Sequence, residues 1–226
     1  MRFFARAALI DLDGTLVDSL PDIASATNAM RDDLGYRPLP AHVIAQYVGK
    51  GVDVLIHRAL TESMSEVADA DLFARGQHAF NCHYARVNGD QSRVFDGVPQ
   101  ALEDLRQKKI VLACVTNKPR QFTLQLLERS GLRSSFAAIV SGDDIEQKKP
   151  HAQPVLRACE MLGVSAAEAI VIGDSENDAL SARAAGCSVI MVETGYNEGR
   201  SISDVDADVI VASLLDAAQL IESQSR

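Results

Sequence analysis

Six apolar runs rich in β-branched residues recur along the chain, and each ends in small or acidic residues. They occupy residues 5–13, 109–117, 136–144, 169–178, 187–195 and 207–213. Near-continuous apolar runs of this length are typical of strands that are buried on both faces, as in a parallel sheet. The pattern therefore predicts six buried strands.

Segments with helical periodicity lie between these runs. Apolar residues share one face in each of three segments: Val98, Leu102 and Leu105; Phe122, Leu126 and Leu127; and Val155, Leu156, Cys159 and Leu162. Gly131 and Gly163 follow the second and third segments, where a glycine commonly ends a helix. The alternation of strand and helix predicts a doubly wound, mainly parallel α/β sheet of the Rossmann-like type.

The segment from 17 to 90 has a different pattern, with helical periodicity and few strand-like runs. Three stretches carry this periodicity, at residues 21–35, 40–60 and 68–87. We therefore expect an all-helical insert, spanning residues 17–90, directly after the first strand. The α/β core would then consist of residues 1–16 and 91–226.

The composition of the chain limits the kinds of molecule that it is expected to bind. The chain has 226 residues, of which 47% are hydrophobic, and its 31 acidic and 22 basic residues give a net charge of −9. This charge argues against nucleic acid or an anionic membrane as the main partner, because phosphate groups are held by clustered Lys and Arg. The four cysteines are scattered, and no stretch has the roughly 20 apolar residues of a membrane span. We expect a cytoplasmic protein, monomeric or homodimeric.

Polar residues follow several of the predicted strands, where an open α/β sheet binds its ligands. These residues are Asp11 and Asp13 after the first strand, Thr116 and Asn117 after the second, Asp174 and Asp178 after a later strand, and Lys149 before a predicted helix. The fold would bring four carboxylates, a hydroxyl, an amide and a lysine into one crevice.

So many carboxylates repel one another unless a cation joins them, and hard oxygen ligands suit Mg²⁺. The same crevice would hold phosphate-binding donors: the backbone amides around Gly14, the Thr116 hydroxyl and a lysine. Carboxylates, Mg²⁺ and a phosphate site together indicate phosphoryl transfer on a small phosphorylated metabolite.

Four motifs carry a family resemblance. "DLDGTLVDS", "VTNKP", the lysine of "KKPHAQP" and "GDSENDALSARAAG" occur in the order and approximate spacing that are typical of the haloacid dehalogenase superfamily. Within it, the chain most resembles the bacterial phosphoglycolate phosphatases. The resemblance implies a core of the type found in that superfamily, with a helical cap after the first strand, and Mg²⁺-dependent hydrolysis of 2-phosphoglycolate to glycolate.

The resemblance also implies residue roles. Asp11 would be the nucleophile that forms an aspartyl-phosphate, and Asp13 would be the general acid and then the base. Gly14, Thr116, Asn117 and Lys149 would bind the phosphate. Mg²⁺ would be held by Asp11, the Asp13 backbone carbonyl and Asp174, with Asp178 supporting the metal from outside its ligand shell.

Substrate choice would depend on the cap. The best candidate contact is the turn at 47–53, where Gly49 and Gly51 flank Lys50 and offer free amides and one positive charge to a substrate carboxylate. A plain surface turn is an equally good interpretation of the same residues.

Two other functions fit parts of the pattern. One is a phosphatase or phosphomutase acting on another small metabolite, such as a sugar phosphate. The other is a signalling module resembling a response-regulator receiver, which also accepts phosphate on an aspartate at a strand end. A receiver, however, has its acidic pair and its phospho-acceptor on different strands and needs no cap, whereas Asp11 and Asp13 share one strand end here.

Overall fold

The structure is a computed structural model that describes residues 1–224. The strands are β1 (Phe3–Ala5), β2 (Ala7–Ile10), β3 (Val17–Asp18), β4 (Arg93–Val94), β5 (Val111–Val115), β6 (Ala138–Val140), β7 (Ala169–Gly173), β8 (Ser188–Val192), β9 (Val209–Val211) and β10 (Ile221–Ser223). The helices are α1 (Leu20–Asp33), α2 (Ala41–Tyr47), α3 (Val52–Thr61), α4 (Ala70–Val87), α5 (Val98–Gln107), α6 (Arg120–Arg129), α7 (Gln153–Leu162), α8 (Glu176–Ala185) and α9 (Leu214–Leu220).

The central sheet contains the six predicted strands in the order β6-β5-β2-β7-β8-β9. All five neighbouring pairs are parallel, and Leu9 in β2 lies opposite Ala113 in β5 and Val171 in β7. This is the Rossmann-type order, in which the direction of winding reverses between the first and fourth strands. The predicted fold class is confirmed, and the reversal lies between β2 and β7.

Helices cover both faces of this sheet because the strand side chains alternate between two apolar cores. Ala8 and Ile10 face the core that α5, α6 and α9 complete. Ala7 and Leu9 face the other core, which α7 and α8 complete. Both faces of β2 are therefore buried, as its near-continuous apolar sequence predicts.

Two short strand pairs were not predicted. β1 pairs in parallel with β10, and β3 pairs antiparallel with β4. These strands have two or three residues each, which is too short to show a periodicity in sequence. The β3–β4 pair joins the chain just before α1 to the chain just after α4.

Helices α1 to α4 pack around a separate apolar cluster that includes Met30, Ile56 and Phe80 and is completed by Phe122 of α6. The predicted helical stretch at 40–60 is two helices, since the backbone breaks at residues 48–51. Gly49 and Gly51 adopt positive φ angles of 118° and 90° there, a conformation that glycine adopts without steric cost. Within residues 1–224, no helix is both long enough and apolar enough to span a membrane.

Asp22 fastens the start of this helical segment to its end. Its fully buried carboxylate, in the first turn of α1, accepts backbone hydrogen bonds from Gly89, Gln91 and Ser92, each at 2.9 Å. The Ser92 hydroxyl donates a fourth at 2.5 Å. The Asp22 carboxylate therefore accepts four hydrogen bonds from the residues that follow α4.

We expect Asp22→Ala to lower the free energy of unfolding by about 3 kcal/mol, because it leaves buried donors without an acceptor. Urea denaturation measures the change. Asp32→Ala on the exposed part of the same helix is the control, with an expected change within about 0.5 kcal/mol. Equal effects of the two substitutions would contradict the role assigned to Asp22.

Candidate active site

Three loops meet at the carboxyl edge of the sheet, beside the point where the winding reverses. Asp11 follows β2, Thr116 follows β5 and Asp174 follows β7. Because β2 lies between β5 and β7, its loop is flanked by the other two. The strand order alone therefore brings Asp11, Thr116 and Asp174 together at one edge of the sheet.

An acidic cluster occupies this edge. Asp11, Asp174 and Asp178 each place a carboxylate oxygen within 4.8 Å of the others. Burial raises the pKa of Asp11 to about 7, with Lys149 opposing the shift and Asp178 adding to it. Burial, Asp178 and Asp11 together raise the pKa of Asp174 well above its usual range. A divalent cation would remove this repulsion, and the all-oxygen donor set fits Mg²⁺.

Lys149 partly neutralises the negative charge of the acidic cluster. Its buried ammonium lies 2.8 Å from Asp11 Oδ1 and donates to Asp178 Oδ1 at 2.6 Å and to the Val115 carbonyl at 2.8 Å. Burial alone would lower the pKa of Lys149, but the two carboxylates raise it above its usual value. The two carboxylates therefore favour the charged form of this lysine, which makes two hydrogen bonds and one further ion pair.

Asp178 holds this lysine in place. Its second oxygen, Oδ2, accepts from the Ser175 amide at 3.1 Å and the Ser175 hydroxyl at 2.9 Å, at the start of α8. Its whole side chain is thus engaged by protein groups, as expected for a residue that acts through Lys149.

Backbone and hydroxyl donors orient Asp174. Thr15 Oγ1 donates to its Oδ1 at 2.8 Å, and the Tyr196 amide donates to its Oδ2 at 3.0 Å. A Cβ at Gly14, whose φ is 92°, would lie only 2.5 Å from the same carboxylate. Gly14 is needed here for this close approach. Its amide donates to the Val17 carbonyl, so the expectation that this amide binds phosphate needs correction.

Asp13 lies apart from the acidic cluster. Its carboxylate accepts from Ser19 Oγ at 2.5 Å and from Lys118 Nζ at 2.9 and 3.1 Å. The turn after Asp11 therefore directs the two aspartates to different partners. A metal contact through the Asp13 backbone carbonyl, as the resemblance implies, is compatible with these side-chain contacts.

A cavity of about 50 Å³ lies between the sheet edge and the helical segment. The core contributes Asp11, Asp13, Thr116, Asn117 and Lys118 to its lining, and the helical segment contributes Ile23, Val48, Gly49, Gly51, Val52, Leu55, Phe80 and Tyr84. The wall above the carboxylates is thus mostly apolar.

Thr116 and Asn117 have different tasks. Thr116 Oγ1 accepts from the Lys118 amide at 3.2 Å, which leaves the hydroxyl proton for a ligand. The Asn117 side chain donates to the carbonyls of Gly49 and Lys149, both at 2.9 Å, and accepts from the Lys149 amide. Its side-chain amide therefore joins two loops, and the role of Asn117 in phosphate binding stays a prediction.

The turn between α2 and α3 meets the cavity through its glycines. Gly49 and Gly51 line the cavity, whereas Lys50 does not. Lys50 Nζ lies 3.2 Å from Glu198, which also pairs with Arg58 at 2.7 Å. The predicted cation of the cap turn is thus directed to a core loop, and its expected contact with the substrate needs correction.

Sequence reasoning missed Lys118, Tyr84 and Ser19. Lys118 lies within the "VTNKP" motif, but β5 ends at Val115 and residues 117–118 form a bend, so spacing alone does not show that its side chain reaches the site. Ser19 and Tyr84 meet the site only through tertiary packing, and no spacing marks them.

Comparison with known proteins gives a consistent result. Residues 8–192 match the model of the haloacid dehalogenase-like hydrolases. A Nitrosospira multiformis protein named phosphoglycolate phosphatase is 43% identical over 220 residues, covering 97% of both chains. A Thiobacillus denitrificans protein of the same name is 44% identical over 217 residues, covering 96% of this chain and 95% of its own.

Solved structures share the fold. The crystal structure of a Haemophilus somnus protein described as a predicted phosphoglycolate phosphatase has a TM-score of 0.89 and 30% identity, covering 95% of this chain and 97% of its own. Rhodobacter sphaeroides CbbY, crystallised in complex with phosphate, has a TM-score of 0.79 and 21% identity, covering 94% and 96%. With the family model matching most of its length, the chain belongs to the haloacid dehalogenase-like hydrolases.

Proposed function

We propose that the chain is an Mg²⁺-dependent phosphatase that hydrolyses 2-phosphoglycolate to glycolate and phosphate. The main support is the buried cluster of Asp11, Asp174, Asp178 and Lys149, with a second carboxylate, Asp13, held apart from it. This arrangement provides a nucleophile and a separate proton-transfer group beside one cavity. The relatives named phosphoglycolate phosphatase support the choice of substrate.

In the first step, an Asp11 carboxylate oxygen attacks phosphorus and the bond from phosphorus to the ester oxygen breaks. Asp13, in its acid form, gives its proton to that oxygen, so glycolate leaves as an alcohol. Lys149, 2.8 Å from Asp11, offsets negative charge at the nucleophile. The product of this step is an aspartyl-phosphate on Asp11.

In the second step, Asp13 acts as a base. It takes a proton from a water molecule, whose oxygen attacks the phosphorus of the aspartyl-phosphate. The bond from phosphorus to Asp11 breaks, which releases phosphate and restores both carboxyl groups. The contacts of Asp13 with Ser19 and Lys118 keep it outside the acidic cluster and beside the cavity.

Asp11, Asp174 and the Asp13 backbone carbonyl would hold Mg²⁺, which supplies charge neutralisation at the phosphoryl oxygens when bound. Asp178 would act through Lys149, because both of its oxygens are engaged by Lys149 and Ser175.

The cavity favours a small monoester. Its apolar wall of Ile23, Leu55 and Phe80 offers few hydrogen bonds to a sugar. A phosphomutase would also need space for its phosphorylated intermediate to rotate within the site. A receiver-like module is disfavoured because Asp13 lies beside the cavity, where it can act as the base for hydrolysis of the aspartyl-phosphate.

The role of Asp11 as the nucleophile can be tested by substitution. We expect Mg²⁺-dependent phosphate release from 2-phosphoglycolate, and Asp11→Asn to lower kcat by roughly 10⁴-fold or more, as losses of catalytic nucleophiles do. A colorimetric phosphate assay measures both. Asp71→Asn, an equal change at an exposed site in α4, is the control. Substantial turnover by Asp11→Asn would refute the aspartyl-phosphate mechanism.

A second prediction concerns the substrate. In a panel of phosphate esters, we expect kcat/KM for 2-phosphoglycolate to exceed that for glucose 6-phosphate by about 100-fold or more, since two or more sugar hydroxyls would be left without partners in the apolar cavity. Comparable values for both esters would mean that the substrate is assigned wrongly, even if the mechanism stands.

A third prediction tests the metal site without relying on turnover. At about ten times its Kd, Mg²⁺ should raise Tm by about 3–6 °C, because it binds the folded chain. Asp174→Asn should abolish this shift, while Asp71→Asn should keep it. Scanning calorimetry with and without Mg²⁺ measures the shifts, and an unchanged shift in Asp174→Asn would exclude Asp174 as a ligand.

A further inference from the structure

We propose that Lys118, assisted by Tyr84, is the group that recognises the carboxylate of the leaving group and so selects the substrate. The inference rests on the proposed function, since it takes 2-phosphoglycolate as the ester. It replaces Lys50, the cation expected from sequence, with a residue from the core.

Lys118 is in the right place to be this group. Among the described residues that line the cavity, it is the only basic one. Lys149 is not among the lining residues; it donates to Asp178 and the Val115 carbonyl and forms an ion pair with Asp11. Lys50 is 37% exposed and pairs with Glu198. A negatively charged leaving group inside the cavity therefore has one cation within reach.

The hydrogen-bonding capacity of Lys118 supports this role. Its ammonium group has three protons and donates to Asp13 Oδ1 at 2.9 Å, to Asp13 Oδ2 at 3.1 Å and to the Tyr84 hydroxyl at 2.5 Å. A ligand carboxylate would replace the longer of the two Asp13 contacts. Tyr84 Oη accepts from Lys118, so the phenol proton is also available. A carboxylate between the two groups would find two donors.

The position of Asp13 fixes the distance from the reaction. Proton transfer requires the ester oxygen to approach Asp13, and Lys118 Nζ lies 2.9 Å from that carboxylate. In 2-phosphoglycolate a single methylene separates the ester oxygen from the carboxylate carbon. A substrate placed for proton transfer therefore brings its carboxylate to the vicinity of Lys118.

Burial makes such a partner necessary. Lys118 is 5% exposed and Tyr84 is 1% exposed, and a carboxylate entering this space loses its hydration and meets Asp11 and Asp13. Without an opposite charge, both effects disfavour binding. Among the lining residues from the helical segment, Tyr84 alone has a polar side chain, so no other side chain of that wall can compensate.

The test separates recognition from catalysis by measuring binding in the Asp11→Asn background. The two ligands are 2-phosphoglycolate and phosphoglycolamide, which has nearly the same shape but an uncharged amide in place of the carboxylate. Calorimetry in Mg²⁺ gives both Kd values. We expect Lys118→Met to weaken binding of 2-phosphoglycolate by at least about 10-fold, and that of the amide by less than about 3-fold, because only the carboxylate loses a charged partner.

The variants distinguish the rival residues. Lys50→Met is the matched comparison, and a loss of carboxylate preference there, but not in Lys118→Met, would overturn the proposal. Equal weakening of both ligands by Lys118→Met would also overturn it, since Lys118 would then act only through Asp13. Lys118→Gln, which keeps a donor for Asp13 without the charge, gives the same comparison if the methionine variant does not fold.

The same data keep the two proposals distinct. If the wild-type chain releases no phosphate from 2-phosphoglycolate, the proposed function fails. The role of Lys118 is tested separately, by the ratio of the Kd values for 2-phosphoglycolate and phosphoglycolamide. It fails only if substitution of Lys118 leaves that ratio unchanged.

Discussion

The crowding of three carboxylates within 4.8 Å of one another, two buried and one partly buried, is the constraint on which the rest of this site depends. An ionised carboxylate taken out of water without a partner costs several kcal/mol, and burial accordingly raises the pKa of both Asp11 and Asp174. Lys149 balances only part of this charge. The remainder makes the edge of the sheet a place for a cation, and through the cation for a phosphate.

The helical segment is joined to the core at the same place. Gly49 accepts a hydrogen bond from Asn117, and Tyr84 accepts one from Lys118. Tyr196 adds a third link: its amide donates to Asp174, while its hydroxyl accepts from the amides of Ser19 and Leu20 at the start of α1. Lys118, which contacts Asp13, and Tyr196, which contacts Asp174, therefore also join the helical segment to the core.

The six strands and the acidic strand ends could be predicted because each leaves a local trace in sequence. A strand buried on both faces is apolar throughout, and parallel strands in one sheet place their carboxyl ends at one edge. Contacts within the loops could not be predicted. The Gly14 amide and the Asn117 side chain look like free phosphate donors in sequence, yet Val17, Gly49 and Lys149 engage them.

Lys50 and Lys118 show the same limit for charge. Both lysines lie beside turn residues near the expected site, and sequence offers no reason to prefer the second. The difference is made by distant partners: Glu198 draws Lys50 away from the cavity, and Tyr84 and Asp13 hold Lys118 against it. Specificity is a difference between affinities, and here it has two sources. Lys118 favours an anionic leaving group, and the apolar wall of Ile23, Leu55 and Phe80 disfavours one with hydroxyls, because each buried hydroxyl without a partner costs about 1–3 kcal/mol.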